Sequence, residues 1–182
     1  MLIVIILVLL AIGIFILVGY NSFARIRNVV RNAWSDVEVM LERRSSLIPN
    51  LVETVKGYSG YERETLEAVT KARAHAEGAI GAQSRAVAEE KVASRINQIL
   101  VIAEDYPELK ASANFMRLQE ELRETEDKIA NARKYYNAAV RDLNTMIETF
   151  PLGMIGTACG FRHEEFFTAE EEARAVPSAK IE

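Results

Sequence analysis

The chain has 182 residues, a formal net charge of −4 and a single cysteine. The acidic balance argues against a nucleic-acid-binding surface, and one cysteine excludes an internal disulfide and fits a reducing compartment. With 4 prolines and 9 glycines, the sequence has few turn residues for an all-β fold, and its apolar pattern favours an all-α fold.

Residues 1–19 form an apolar run without charge, and the first charged side chain is Arg25. As a helix, this run would be roughly 28 Å long, close to the ~30 Å hydrocarbon core of a bilayer. The alternatives are a buried core helix or a cleaved signal peptide. A signal peptide would have a basic start, a shorter apolar region and a small-residue cleavage site. The run therefore predicts a single uncleaved transmembrane anchor.

The flank of the predicted anchor carries only positive charge. Residues 20–34 contain Arg25, Arg27 and Arg31 and no acidic residue. Because cationic flanks stay on the cytoplasmic side, we expect Met1 outside and the rest of the chain in the cytoplasm. A periplasmic location of the remaining chain is the alternative.

Four amphipathic helices are predicted after the anchor, at residues 20–44, 47–77, 85–106 and 113–150. The first ends at Arg43 and Arg44, and Ser46 caps the second with Pro49 in its first turn. This places a tight turn at residues 44–47; one long helix kinked at Pro49 is the alternative. Gly57 and Gly60 lie inside the second helix, where they indicate a bend or a close helix contact.

The later helices are punctuated by a loop at residues 78–84 and by Pro107. In the last helix, apolar residues recur in alternating steps of three and four from Phe115 to Phe150. This repeat is typical of coiled-coil-like packing, with helix axes about 20° apart. Four such helices with short connections predict an antiparallel up-down-up-down four-helix bundle.

The chain after the bundle, residues 151–182, divides into an apolar segment and an acidic tail. Residues 150–161 carry no charge and are too short to span a bilayer. In the predicted topology they return to the membrane side. We expect them to lie in the lipid headgroup region or against a neighbouring subunit, with a strand-like tail over the end of the bundle as the alternative. The predicted membrane-interface residues are Phe150, Leu152, Met154, Ile155 and Phe161. The acidic tail, with Glu170, Glu171 and Glu172, is expected to be solvated.

Residues that could carry chemistry are few. His75 and His163 lack further ligands at a spacing typical of metal sites, and Cys159 has no close basic neighbour to activate it. The adjacent pairs Glu89-Glu90 and Glu120-Glu121 point about 100° apart on a helix, which indicates solvent-facing positions. We therefore expect no metal, no cofactor and no enzymatic activity.

Asparagines occur seven residues apart on two predicted helices. Asn21 and Asn28 lie off the apolar stripe of the first helix, and Asn137 and Asn144 do so on the last. The simpler interpretation is a solvent face. Because amide groups can pair across a subunit boundary, the alternative is a self-assembly surface.

Charged residues at the membrane-distal end have two interpretations. Arg43 and Arg44 could cap the first helix and pair with Glu108, or the three residues could form a surface that docks a partner. Both interpretations require these side chains to lie at the end of the bundle.

Several ungapped motifs together resemble the LemA family of bacterial membrane proteins, from residue 20 to about residue 173. The motifs are Tyr20-Asn21, Arg27-Asn28, Ala33-Trp34-Ser35, Arg43-Arg44, residues 47–52 (LIPNLV), 55–58 (VKGY), 106–110 (YPELK), 118–122 (LQEEL), Ile129-Ala130 with Arg133, Tyr136-Asn137, Phe150-Pro151 and Gly160-Phe161. The resemblance implies an anchor, a four-helix bundle and no established enzymatic activity. Ser46 replaces a usual Asp, and Tyr61 replaces a frequent His, which weakens any metal site there.

The sequence thus predicts a non-catalytic, single-pass protein of the bacterial inner membrane that self-assembles as a scaffold or adaptor. Its expected partners are the lipid bilayer, further copies of itself and a membrane protein, but no nucleic acid. The alternatives are an accessory or sensor subunit of a membrane protease or transporter, and a membrane-remodelling protein.

Overall fold

The structure, a computed structural model, describes residues 1–57 and 63–169. These residues form six α-helices and contain no β-strand, which confirms the all-α fold. The helices are α1 (Leu2–Lys56), α2 (Arg63–Glu77), α3 (Ala82–Ile102), α4 (Pro107–Lys110), α5 (Ala113–Glu148) and α6 (Leu152–Ala158), with a 3-10 turn at Ala103–Asp105. The predictions for Gly60, Tyr61 and the acidic tail at Glu170, Glu171 and Glu172 lie outside the described residues.

The chain divides into two compact units. The first, called the anchor unit, comprises Met1–Glu38 and Asn131–Glu165. The second, called the core unit, comprises Val39–Ala130 and the chain from Phe166 onward. Helices α1 and α5 contribute to both units.

Helix α1 runs without interruption from Leu2 to Lys56 and contains Pro49, so the predicted turn at residues 44–47 is wrong. The Ser46 hydroxyl does not cap a new helix; it donates to the carbonyl oxygen of Arg43 at 2.8 Å. The apolar stripe on this side of the helix continues through Ile48 and Leu51, which are both buried. A turn at residues 44–47 would interrupt this buried apolar face. The free energy gained by burying the face exceeds the cost of one exposed proline inside the helix.

The predicted second helix, 47–77, is consequently divided. Its first part belongs to α1, which ends next to Gly57, and its last part is α2, which ends at Glu77. Helices α3 and α5 lie close to the predicted ranges 85–106 and 113–150. Pro107 does not only terminate a helix; it is also the first residue of α4. The missing N–H of proline costs no hydrogen bond at this position, because the N–H of a first helical residue has no intrahelical partner.

One apolar core fills the core unit. Side chains of α1, α2, α3 and α5 contribute to it, joined by single residues of the 3-10 turn and α4. Its buried members are Leu47, Ile48, Leu51, Val52, Val55, Leu66, Val69, Ala76, Ala88, Val92, Ile96, Ile99, Ala103, Leu109, Phe115, Leu118 and Leu122. The three–four spacing of these residues in each helix explains why the helices form with one apolar face inward.

Candidate membrane-interface site

The N-terminal part of α1 is apolar and uncovered. Every residue from 1 to 18 is exposed, whereas Gly19 is buried. Among the described residues, α1 is the helix that is long and apolar enough to cross a membrane. The change from exposed to buried at Gly19 therefore marks where the apolar run meets the packed part of the anchor unit.

Helix α6 packs against α1 at this point. A Cβ atom built on Gly19 would lie 2.9 Å from Ile155 Cδ1 and 3.3 Å from Leu152 Cδ2. A Cβ atom on Gly156 would lie 2.6 Å from Phe23 Cζ. Glycines on both helices thus permit a contact that larger residues would block. We call this contact between α6 and residues 19–27 of α1 the junction.

The C-terminus of α6 explains how the chain turns back toward α1. The Phe161 N–H donates to the Gly156 carbonyl at 3.0 Å, and the Gly160 N–H donates to the Thr157 carbonyl at 3.1 Å. Gly160 has φ +80°, a conformation that favours glycine. This is a Schellman motif, with Gly160 just after the helix and an apolar residue following it.

Phe161 is the centre of an aromatic cluster whose other rings belong to α1. Its ring stacks on Phe23 with centroids 5.0 Å apart and meets the edge of Tyr20 at 5.9 Å. The guanidinium carbon of Arg27 lies 4.9 Å from the Phe161 ring centroid, a cation–π contact. Phe161 is buried, so the prediction that it faces lipid headgroups is wrong.

The extended segment after Phe161 is bound to α5 through its main chain. Asn144 donates from Nδ2 to the Glu164 carbonyl and accepts the Glu164 N–H at Oδ1, both at 3.0 Å. The Tyr136 hydroxyl donates to the Glu165 carbonyl at 2.8 Å. Burial, together with the carboxylates of Glu164 and Glu165, raises the pKa of Tyr136 to about 12. The phenol therefore stays protonated and keeps this hydrogen bond at neutral pH.

The outer side of α6 is apolar and open. Phe150 is 80% exposed and Met154 is 67% exposed, and both line a shallow groove with Gly153 and Thr157. Leu152 and Ile155 are half-buried and face Gly19. Of the predicted membrane-interface residues, Phe150 and Met154 thus present apolar surface to the surroundings, while Leu152 and Ile155 form the contact with α1.

A family model, the LemA family, matches residues 33–181. The chain belongs to the LemA family. Its LemA relative in Metamycoplasma hominis is 27% identical over 170 residues, covering 91% of this chain and 78% of that protein. The family model begins at Ala33, so the apolar run and residues 19–27 of the junction lie before the matched region.

This LemA-family chain is also similar to two magnetosome proteins. Magnetosome protein MamQ 2 of Paramagnetospirillum magneticum and magnetosome protein MamQ of Magnetospirillum gryphiswaldense are each 23% identical over 178 residues. Each alignment covers 84% of this chain, which spans 65% of the length of each MamQ protein. Family membership and the apolar helix together indicate a membrane-associated protein of the LemA type.

The predicted docking residues of the LemA-family chain are not all at the surface. Arg43 and Glu108 are exposed, but the Arg44 side chain is only 3% exposed. Arg44 donates from Nη2 to Glu89 Oε2 at 2.6 Å and from Nη1 to Glu126 Oε2 at 2.7 Å. The predicted pairing of Arg44 with Glu108 and its place on a docking surface are therefore wrong.

Glu89 is the buried carboxylate that sequence reasoning missed. It was expected on a solvent face, but its side chain is 8% exposed and also accepts a hydrogen bond from Arg85 Nε at 2.8 Å. In the sequence, Arg85 lies four residues before Glu89, and this spacing indicates only an ion pair on the surface of a helix. Nothing local in the sequence indicates that Arg44, 45 residues away, reaches the same carboxylate.

The predicted self-assembly asparagines of this LemA-family protein fall into two groups. Asn21 and Asn28 are exposed on α1. Asn144 is engaged within the chain by Glu164, so its amide is not available for the predicted lateral contact. Asn137 is half-buried and already has interactions within the chain.

The histidines and the cysteine are surface residues. His75 lies in the last turn of α2, and His163 Nδ1 lies 3.8 Å from Glu148 Oε1. Cys159 is exposed at the end of α6. In the described part of the chain, no three His, Cys, Asp or Glu side chains are grouped to hold a metal ion.

Proposed function

We propose that this LemA-family protein is a non-catalytic, single-pass membrane scaffold or adaptor that self-associates at the bacterial inner membrane. The observation that carries the proposal is the junction, where α6 packs on α1 at Gly19, the end of the exposed apolar run. An anchor in the bilayer would hold Phe150 and Met154 at the level of the lipid headgroups.

We further propose that the helices form an antiparallel four-helix bundle on the cytoplasmic side. The shared apolar core of α1, α2, α3 and α5 supports the bundle, and the three arginines of residues 20–34 support the orientation. A reporter enzyme fused after Glu182 that is active only in the cytoplasm tests the orientation. Activity only of a periplasmic reporter would reverse it.

The non-catalytic role is supported by the buried charges, because the carboxylate of Glu89 is paired with Arg44 and Arg85. The cavity of about 250 Å³ beside Arg44 has one acid among its lining residues, Glu126, which is bound by Arg44. Paired groups of this kind stabilise structure and are not free to exchange protons with a substrate.

Self-association is tested by measuring the mass of the full chain in mild detergent at micromolar concentration. We expect an oligomer, which weakens when the exposed amides are removed in the double variant Asn21→Ala, Asn28→Ala. The control Asn50→Ala changes an exposed asparagine of the core unit and leaves the mass unchanged. A monomeric native chain would contradict the proposal.

Membrane remodelling is a second candidate, favoured by the exposed apolar side chains of Phe150 and Met154. Insertion of such side chains into one leaflet would spread its headgroups. We expect the reconstituted chain to deform liposomes, and the double variant Phe150→Ser, Met154→Ser to lose this effect. Equal deformation by both proteins would contradict this second candidate.

A further inference from the structure

We propose that three arginines bind the phosphate groups of anionic phospholipids in the leaflet through which α1 leaves the membrane. We name Arg25, Arg27 and Arg162 the arginine collar. This inference rests on the proposed membrane anchoring and adds the chemistry of the lipid that the anchor unit recognises.

The first argument is position. At about 1.5 Å per residue, Arg25 and Arg27 lie about 9 Å and 12 Å beyond Gly19 along α1. Helical side chains tilt toward the N-terminus, which here means toward the apolar run. The headgroup layer is about 5–8 Å thick on each side of the hydrocarbon core. Extended arginine side chains from these positions therefore reach lipid phosphates.

The second argument is the preorganisation of Arg27. Its guanidinium lies over Phe161, whose ring is fixed by Phe23 and by the Schellman motif of α6. Its Nε atom is buried and has no hydrogen-bond partner in the described chain, while the residue as a whole stays partly exposed. A guanidinium that is held in place on an aromatic ring suits bidentate binding of a phosphate.

The third argument is charge. The first acidic residue is Asp36, so nothing on the first 35 residues of the chain neutralises the collar. In the described residues, Arg25 and Arg162 make no ion pair, unlike Arg44 and Arg85 of the core unit. The acids closest to Arg162 in the sequence are Glu164 and Glu165, whose main chain is bound to α5.

The electrostatic gain per arginine near an anionic membrane surface is about fivefold in affinity, the equivalent of ~1 kcal/mol. Three collar arginines together would thus change the affinity for an anionic lipid by roughly a hundredfold. Zwitterionic lipids offer no net negative charge, so the same residues should discriminate strongly between the two lipid classes.

The test uses the full chain in nonionic detergent, with thermal unfolding followed by the fluorescence of Trp34, its single tryptophan. Phosphatidylglycerol, phosphatidylcholine or inorganic phosphate is added. We expect phosphatidylglycerol alone to raise the unfolding midpoint, because a ligand that binds only the folded state stabilises it. The triple variant Arg25→Gln, Arg27→Gln, Arg162→Gln should need about a hundredfold more lipid for the same shift.

Two further variants separate charge from folding. Arg27→Lys keeps the charge and loses the bidentate geometry, so we expect an intermediate response at an unchanged midpoint without lipid. Arg43→Gln, an exposed arginine of the core unit, should respond like the native chain.

An unchanged lipid response of the triple variant would overturn the inference. An equal response to inorganic phosphate would also overturn it, because the site would then bind free phosphate. Extraction of membranes with alkaline carbonate keeps this result distinct from the proposed function. Release of the native chain would contradict the anchoring itself, whereas retention with an unchanged triple variant would contradict only the collar.

Discussion

Gly156 of α6 lies directly against the ring of Phe23 on α1, and a Cβ atom on Gly156 would lie 2.6 Å from Phe23 Cζ. The contact leaves no room for a side chain, so the docking of α6 depends on this glycine. Close packing of this kind gives van der Waals contact along both partners and excludes water from the ring.

We predict that Gly156→Val displaces α6 and destabilises the anchor unit by about 1–3 kcal/mol, because overpacking forces neighbouring atoms apart. Thermal unfolding and the rate of trypsin cleavage at Arg162 measure the effect. Gly13→Val is the control, since a Cβ atom at Gly13 meets nothing within 4 Å. Equal unfolding and cleavage in the two variants would show that the contact with Phe23 is not tight.

We predict that Arg44→Met destabilises the core unit by about 3–5 kcal/mol, because the buried Glu89 carboxylate loses its partner. Arg43→Met, at the exposed neighbouring position, should change stability by less than about 0.5 kcal/mol. Adding Glu89→Gln to Arg44→Met should recover part of the loss. Chemical denaturation measures all three, and a similar cost for Arg43→Met and Arg44→Met would contradict the buried pair.

We predict that Pro49→Ala raises stability by about 1–3 kcal/mol, because alanine supplies the main-chain N–H that proline lacks in a helix interior. The control is Pro107→Ala, where the proline stands at the start of α4 and costs nothing. Denaturant midpoints compare the two variants. If Pro49→Ala gave no gain, the residue would lie in the first turn of a separate helix, and α1 would not be continuous.

We predict a late tyrosine ionisation. The pKa of Tyr136 is about 12, above the ~10 of an unfolded tyrosine, so the neutral phenol stabilises the fold fully below pH ~10. This contribution is lost as pH rises from about 10 to 12. Absorbance at 295 nm should show a late tyrosine titration step, and Tyr136→Phe should remove that step. A native titration without a late step would contradict the buried hydroxyl.

Regular stretches were predictable from the sequence because their information is local. The three–four repeat from Phe115 onward gave α5 its bounds to within two residues at the C-terminus. The uncharged run at the start gave the apolar part of α1. Each of these signals is contained in a short window, where periodicity and composition suffice.

The errors occurred where distant residues decide the structure. Ser46 and Pro49 resemble a helix start, yet the buried stripe through Ile48 and Leu51 keeps α1 continuous. Arg44 resembles a surface cap, yet Glu89 and Glu126 from other helices enclose it. Such pairings arise from the packing of whole helices, and no spacing along the chain records them.

Asn144 hydrogen-bonds only main-chain atoms of Glu164, and Tyr136 hydrogen-bonds only the main-chain carbonyl of Glu165. These hydrogen bonds therefore do not depend on the side chains of Glu164 and Glu165. Replacing both acidic residues with basic ones would reverse the charge of this segment and leave its main-chain hydrogen bonds to α5 in place.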